Sequence, residues 1–401
     1  MRPPGLMSGA PPFAPGSLVT LDGWQDPPGN RWAFQHVREL IPTARIRRGD
    51  GPTWQLRREE RDVMGLRFSV GGRRWTVERL LDETQTDAFL VIHRGRIVTE
   101  DYFNGMEPDT PHLLMSVSKS VTAAVVGILA GRGALDVRAP ITDLVPELTS
   151  TSFAGATVQH LLDMRTGTRF NEDYDDPNAD VRVYEQVYRW RPHTDADVPE
   201  NALAYYATLT NDGEHGGPFR YRSILTDVLA WVVERAAGAR FPEIVARELW
   251  QPMRAEFDAE ITVDPHGNAM ADGGISATLR DTGRFGLLYL LRGRRGRSSV
   301  VPADWVDDTV RGAPDGPAAF AAGDDPPGLP AGSHYRNCWW IRDRMAPFLQ
   351  ASGIYGQSIF VHGPTRTVVV KFSTWSRPLD RQIVEATAAA VVALGKVLER
   401  A

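Results

Sequence analysis

The composition of the chain is that of an ordinary soluble globular protein. It has 401 residues, of which 42% are hydrophobic and 24% charged, and this length suggests two structural lobes. The net charge of −5 gives no indication of nucleic acid or an anionic membrane as a partner. A single cysteine, Cys338, excludes an intramolecular disulfide and a cysteine-rich metal site.

The first residues and the hydropathy of the chain indicate the cellular compartment in which the protein is expected. Residues 1–20 are rich in proline and glycine and predict an extended N-terminal arm. This stretch lacks the apolar run of a secretory signal. No stretch reaches the roughly 18 consecutive apolar residues of a transmembrane helix. We therefore expect a cytoplasmic protein.

After the arm, strand patterns precede a long apolar helix. Ala88–His93 and Arg96–Tyr102 predict two strands that a tight turn at Arg94-Gly95 joins into a hairpin. A helix is predicted from Ser116 to about Arg132, and its nearly continuous apolar residues indicate that it is buried.

The rest of the chain is mainly helical at first and gains strands late. The helical pattern covers 139–259, and strand patterns return only in Gln357–His362 and Thr367–Ser373, before a last helix over about Leu379–Leu398. Strands towards both ends predict an α+β fold in which N- and C-terminal segments form one antiparallel sheet flanked by helices. Between these two segments the sequence predicts an inserted, mainly helical lobe.

The predicted organisation therefore has three parts. Residues 1–20 form the arm, residues 21–138 and 260–401 form an α/β lobe, and residues 139–259 form the helical lobe. Clefts between lobes are common ligand sites, so we expect a catalytic cleft between these two.

The most informative motif is Ser116-Val-Ser-Lys119, at the start of the buried helix. Lysine is rare, since only three of the 45 basic residues are lysines. Positions i and i+3 share a helix face, so the Lys119 amine can reach the Ser116 hydroxyl. A desolvated lysine can give up its proton where arginine cannot, and a serine beside such an amine is an activated nucleophile. The alternative, a solvated surface lysine, fits poorly with a buried helix.

Tyr221 is the candidate for a third group that relays protons to the leaving atom. It lies just before an apolar helix over Ser223–Ala237, and Ser223 is expected to cap that helix. By itself Tyr221 would be interpreted as a packing tyrosine. Together with the upstream Ser-x-x-Lys motif it forms a specific set.

These residues resemble the serine β-lactamase and penicillin-binding superfamily, in the branch of class C enzymes and their esterase relatives. Within that branch the resemblance extends to the 6-aminohexanoate-dimer hydrolase family, which cleaves linear nylon oligomers. The stretches that carry it are Trp24–Phe34, His112–Ser120, Asn171–Tyr174, Thr226–Arg235 and Ser352–Gln357. They span nearly the whole chain from about residue 22 and imply a β-lactamase-like fold.

The resemblance implies the catalytic roles by position. Ser116 would be the nucleophile, Lys119 its general base and Tyr221 the proton relay. The backbone N–H groups of Ser116 and Ile354 would form the oxyanion hole. Burial and the neighbouring Tyr221 are expected to lower the pKa of Lys119, so that it can act as a base. Neither a metal nor an organic cofactor is needed.

The resemblance also implies a substrate pocket. Tyr174 would hydrogen-bond the substrate amide nitrogen, Trp190 would wall the pocket, and Gly353 would adjoin the substrate. Glu185 would lie near the substrate's amino end, and Asp272 is expected to face the cleft.

The chain departs from the pattern of its relatives at two places. The Lys-Thr-Gly triad of true β-lactamases, which helps to bind the substrate carboxylate, is replaced by Leu349-Gln-Ala-Ser352 before Gly353. This puts β-lactam turnover in doubt. Glu185 is one methylene longer than the aspartate expected there, which could change the amine-bearing substrate that fits.

The sequence thus predicts a serine hydrolase for short linear amides, such as 6-aminohexanoate oligomers, and small esters. A D-aminopeptidase or penicillin-binding-type carboxypeptidase is the alternative enzyme. A non-catalytic scaffold or sensor is the alternative of another class. A Ser-His-Asp triad would leave Lys119 unexplained, and the absence of His-x-x-x-His argues against zinc. Both a monomer and a homodimer remain open.

Overall fold

The computed structural model describes residues 5–323 and 329–400, with most strands near the two ends of the chain and most helices between them. The strands are β1 Thr43–Ile46, β2 Arg57–Arg58, β3 Arg67–Val70, β4 Arg73–Thr76, β5 Thr86–His93, β6 Arg96–Tyr102, β7 His112–Leu113, β8 Ala259–Thr262, β9 Ile275–Ala277, β10 Arg294–Arg295, β11 Ser298–Ser299, β12 His334–Arg336, β13 Trp339–Asp343, β14 Phe348–Gly353, β15 Gln357–His362 and β16 Thr367–Ser373. The helices are α1 Asn30–Ala33, α2 Val77–Glu83, α3 Val117–Gly131, α4 Val158–Leu162, α5 Asp180–Val187, α6 Ala202–Tyr206, α7 Ile224–Ala237, α8 Phe241–Val245, α9 Gln251–Met253, α10 Leu279–Leu290, α11 Ala303–Arg311, α12 Gly316–Ala321 and α13 Arg381–Arg400.

The large sheet joins the two ends of the chain, as predicted. Its strand order is β12-β13-β14-β15-β16-β5-β6-β2, and its pairs are antiparallel except for the parallel pair of β2 with β6. The C-terminal strand β16 pairs with the N-terminal strand β5, where Val370 faces Leu90. The predicted hairpin is confirmed: Arg94 and Gly95 both have positive φ, 49° and 77°, as a two-residue hairpin turn requires.

The prediction that strands return only from residue 357 is wrong. Strands β12, β13 and β14 precede it, and β1, β8, β9 and β7 form a second, four-stranded sheet. The first four residues of β13 and of β14 are buried without interruption, so burial does not alternate along these strands. The strands of the second sheet have two to four residues, too few for a periodic pattern.

Helices cover both faces of the large sheet and fill the middle of the chain. Helix α10 packs on β5, β15 and β16, while α13 covers the other face with Val391 and Leu394 against Phe89 and Val369. Between residues 139 and 258 the described elements are helical, apart from isolated β-bridges. Within the described ranges, no helix combines the length and apolarity that crossing a bilayer requires.

One main hydrophobic core extends through the predicted parts of the chain. It includes Leu6 and Val19 from the arm, together with side chains of the helical segment and the large sheet. Residues 5–20 consist of turns and irregular structure. This part of the predicted arm packs against the core with the side chains of Leu6 and Val19. The buried helix α3 passes through this core and contacts α7 and β14, which places its first residues between the sheet and the helical segment.

Lys371 is a second buried lysine and lies on β16, where it is 1% exposed. Its amine donates to Ser373 Oγ. Burial lowers the pKa of Lys371 to about 7, although nearby Asp87 opposes the shift. Because this folded-state pKa lies below the ordinary lysine value, protonation destabilises the fold. This destabilisation of the folded protein grows as pH falls from about 10.5 to about 7, and it is constant below pH 7.

Replacing Lys371 with methionine is therefore expected to stabilise the protein at neutral and acidic pH. The free energy of unfolding should rise by roughly 1–4 kcal/mol, because apolar atoms replace a buried charge. The gain should shrink towards pH 10, where the wild-type amine is already largely neutral when folded. Urea unfolding near pH 6 and near pH 10 measures both values. No gain at the lower pH would contradict a buried, destabilising lysine.

Candidate active site

Ser116 lies at the entry of α3, directly after a constrained turn. Met115, which precedes it, is 2% exposed and has a φ of 48°, in the left-handed region that residues other than glycine rarely adopt. Such strain persists only where the surrounding packing enforces it, and it occurs often at functional sites. The turn fixes both the hydroxyl and the backbone N–H of Ser116 at the end of a buried helix.

The three predicted catalytic residues lie together. The Lys119 amine donates to Ser116 Oγ at 2.8 Å and to the backbone oxygen of Asp272 at 2.9 Å. Tyr221 lies beside this pair: the Lys119 amine is 5.3 Å from the centre of its ring, and Tyr221 lines the same cavity as Ser116. The Tyr221 ring stacks on Trp340 with a centroid distance of 5.4 Å, which fixes its orientation. This arrangement can transfer a proton between the serine, the amine and the phenol.

The expected lowering of the pKa of Lys119 is wrong. Burial does lower the pKa of this amine, but its electrostatic interactions with Tyr221, Asp272 and Glu172 raise the pKa and outweigh the burial. The resulting pKa of Lys119 lies above the ordinary lysine value. Lys119 is therefore an ammonium in the resting protein and must lose a proton before it can act as a base.

Buried acids close to Lys119 contribute to this shift. Asp272 Oδ2 lies 3.7 Å from the amine. Asp227 accepts the backbone N–H of Asp272 at 2.9 Å and the Tyr184 hydroxyl at 2.8 Å. Burial raises the pKa of Asp227 well above its ordinary range. In residues 5–323 and 329–400 no group of three or more histidine, cysteine or acidic side chains is arranged to hold a metal.

The predicted oxyanion donors adjoin each other because Gly353 has no side chain. A Cβ at Gly353 would lie 2.6 Å from the Leu114 oxygen and 3.0 Å from the Ser116 nitrogen, both of them backbone atoms that cannot give way. Only glycine allows the end of β14 to approach the start of α3 this closely. Ile354 follows at once, and Tyr355 after it has a φ of 60°, so this turn is also constrained.

Glu172 is a site residue that the sequence analysis did not identify. Its Oε1 accepts the Tyr174 hydroxyl at 2.7 Å and also the Ser223 hydroxyl, while Oε2 accepts the Ser223 backbone N–H. The expectation that Ser223 caps its helix through its side chain is wrong, because this hydroxyl donates to Glu172 instead. Glu172 stands two residues before Tyr174, within the stretch Asn171–Tyr174 that carries part of the family resemblance. Its closeness to Tyr174 in the sequence is the signal that could have identified it as a site residue.

The structure places Glu185 in a cluster of positive charges. Arg182 Nη1 donates to its two carboxylate oxygens at 3.1 and 3.0 Å, Arg191 Nε donates to Oε2, and Gln25 donates to Oε1 at 3.1 Å. The Glu185 side chain is 4% exposed. Glu185 is therefore a paired, buried carboxylate rather than a free one.

A cavity of about 390 Å³ opens beside the nucleophile, a size typical of small-molecule sites. Of the predicted residues, Ser116, Tyr174, Tyr221, Gly353 and Ile354 line it.

The other predicted pocket residues lie outside this lining. Trp190 is 3% exposed and lies against Gly273, behind the start of α3. Asp272 lies behind Lys119, and Glu185 lies within its arginine cluster. A larger groove of about 1090 Å³ is formed elsewhere by arginines and acids, including the ion pairs Arg38–Glu260 and Arg45–Asp258. It contains none of the catalytic candidates.

Comparison with known proteins agrees with this fold. Residues 76–394 match the Beta-lactamase family model. A 6-aminohexanoate-dimer hydrolase of Paenarthrobacter ureafaciens is 38% identical over 382 residues, which are 95% of this chain and 92% of that protein. A solved structure of a candidate 6-aminohexanoate-dimer hydrolase from Bacillus anthracis superposes with a TM-score of 0.87 at 25% identity, covering 96% of this chain and 98% of the other.

A more distant structure shares the fold alone. The octameric penicillin-binding protein homologue from Pyrococcus abyssi has a TM-score of 0.61 at 17% identity, and the match covers 80% of this chain and 76% of that one. The family match spans most of the chain, and the relative at 38% identity spans nearly all of it. The chain therefore belongs to the Beta-lactamase family of hydrolases.

Proposed function

We propose that the chain is a serine hydrolase that cleaves short linear amides and small carboxylic esters through an acyl-enzyme on Ser116. The observation that carries this proposal is the Lys119 amine 2.8 Å from Ser116 Oγ, with the Tyr221 ring 5.3 Å from the same amine. The cavity beside Ser116 has room for a small acyl compound. The similarity to a 6-aminohexanoate-dimer hydrolase supports a linear amide as the substrate class.

The reaction would proceed in two halves. Ser116 Oγ attacks the substrate carbonyl as its proton passes to neutral Lys119, and the carbonyl oxygen gains negative charge. Backbone N–H groups of Ser116 and Ile354 would stabilise that charge, typically by about 3 kcal/mol for each donor. Tyr221 then passes a proton to the leaving nitrogen or oxygen and receives the serine proton from Lys119. Water attacks the resulting ester as its proton passes to Lys119, and that proton returns to Ser116 Oγ as the carboxylic acid leaves.

The described lining of the cavity has no arginine or lysine to hold the substrate carboxylate that the alternative carboxypeptidase function requires. The positions before Gly353 that line the cavity are Gln350 and Ser352, which are neutral. A carboxypeptidase or β-lactamase must hold a substrate carboxylate, and the missing Lys-Thr-Gly triad would have supplied that contact. A non-catalytic scaffold would not require the contact of Lys119 with Ser116 and Tyr221.

Tyr174→Phe tests the amide part of the proposal. The Tyr174 hydroxyl gives its proton to Glu172, so its oxygen is left to accept the N–H of a substrate amide. We expect kcat/KM for a p-nitroanilide to fall by roughly tenfold, the loss of one hydrogen bond to the reacting amide. The p-nitrophenyl ester of the same acid has no such N–H and should be hydrolysed at close to the wild-type rate.

Steady-state assays of that amide and ester with wild type and variant measure the effect. An equal fall for both would mean that Tyr174 only supports the site. An enzyme that cleaved neither substrate in the wild-type form would contradict the proposed function itself.

A further inference from the structure

The cavity beside Ser116 has a mainly apolar wall. Its described apolar side chains include Phe170, Phe219, Trp340, Trp375, Leu379 and Val384. The polar residues beside them, among them Asn171, Gln350 and Ser352, are uncharged. A hydrocarbon chain gains free energy by leaving water for such a wall, whereas an ammonium or carboxylate loses its hydration without gaining a partner.

Glu172 is the carboxylate on the described lining, and three of its roughly four acceptor positions are occupied. Tyr174 and Ser223 together donate three hydrogen bonds to it. A substrate ammonium at Glu172 would compete with the donors that fix Tyr174 and the start of α7. We infer that Glu172 acts mainly within the protein.

Glu185 is likewise unavailable to a substrate cation. Two guanidiniums and the Gln25 amide fill its acceptor positions, so the group of Arg182, Arg191 and Glu185 carries a net charge of +1. This group lies close to the cavity, since the Arg182 guanidinium is 5.6 Å from the centre of the Tyr174 ring. A positive group at this place disfavours an approaching ammonium.

We propose that this enzyme selects substrates whose acyl chain ends in an uncharged, apolar group, so that amino-ended chains are disfavoured. This inference rests on the proposed function and narrows its substrate class. The substrate is still a linear amide, but its acyl half is aliphatic to its end. This half packs against the wall formed by Trp340, Leu379 and Val384.

Three p-nitroanilides of matched length test the proposal. Their acyl groups are heptanoyl, 6-aminohexanoyl and adipoyl, which place a methyl, an ammonium and a carboxylate at the same distance from the carbonyl. We expect kcat/KM for heptanoyl to exceed each of the other two by at least about tenfold. Equal or faster cleavage of the 6-aminohexanoyl compound would overturn the proposal, and so would equal or faster cleavage of the adipoyl compound.

Substitutions at two positions test where the chain end lies and what Glu185 does. Leu379 lines the cavity and is 44% exposed, so Leu379→Glu and its neutral control Leu379→Gln should both fold. The glutamate, but not the glutamine, should raise the 6-aminohexanoyl to heptanoyl ratio by roughly two- to fivefold. Glu185→Gln should not lower this ratio. The assignment of the chain end would be contradicted if Leu379→Glu failed to raise the ratio above that of Leu379→Gln. The assignment of Glu185 would be contradicted if Glu185→Gln lowered the ratio.

The design separates this inference from the function on which it rests. Heptanoyl turnover that depends on Ser116 would support the hydrolase whatever the chain preference. An enzyme that requires Ser116 but favours the amino-ended chain would refute only the substrate class. Loss of Ser116 dependence would refute the proposed function as well.

Discussion

Ser116→Ala is expected to lower kcat/KM for amides and esters by roughly 10⁴-fold or more, because no acyl-enzyme can form without the attacking oxygen. The fold should survive, since loss of one hydroxyl at a cavity leaves no large void. Assays with p-nitrophenyl hexanoate and a melting curve check both points. Ser352→Ala is the matched control, because Ser352 lines the same cavity and is not a partner of the Lys119 amine. It should lose far less activity.

Lys119→Arg is expected to be nearly as inactive as Lys119→Ala. A guanidinium keeps the positive charge but cannot accept the proton of Ser116. Both variants should lose roughly 10³-fold or more in kcat/KM, the range of a general base together with its place in the hydrogen-bonded set. An arginine variant that retained more than about a tenth of the wild-type activity would rule out the base role.

The same role predicts the pH dependence of the wild-type enzyme. Since Tyr221, Asp272 and Glu172 raise the pKa of Lys119 above its ordinary value, the neutral fraction is small at pH 7. That fraction grows about tenfold with each pH unit below the pKa, so log kcat/KM should rise with a slope near one from about pH 6 to 9. A plateau beginning below pH 8 would mean that the amine is already neutral there.

The fold was predictable where local patterns carry the signal. The hairpin at Arg94-Gly95 and the buried helix after Ser116 follow from turn chemistry and apolar periodicity. Strand β13 gave no alternation of apolar and polar residues, because its first four side chains are all buried. The second sheet depends on pairing between β1 and β8, more than 200 residues apart, which no local pattern encodes.

The site shows the same distinction between local and distant contacts. Ser116 and Lys119 are one helical turn apart, so their contact could be predicted from spacing. The pKa of Lys119 could not, because Asp227 and Asp272 approach it from other elements. For Glu185 a local signal existed, since Arg182 stands three residues earlier on the same helix and can pair with it.

Mass spectrometry of the intact and digested protein after brief reaction with p-nitrophenyl hexanoate tests the central claim most directly. The account predicts one added hexanoyl group, carried by the peptide that contains Ser116 and localised to that serine by fragmentation. It also predicts that the Ser116→Ala variant gains no such group under the same conditions. An adduct on Ser118 or Ser223, or turnover by the alanine variant at the wild-type rate, would contradict it.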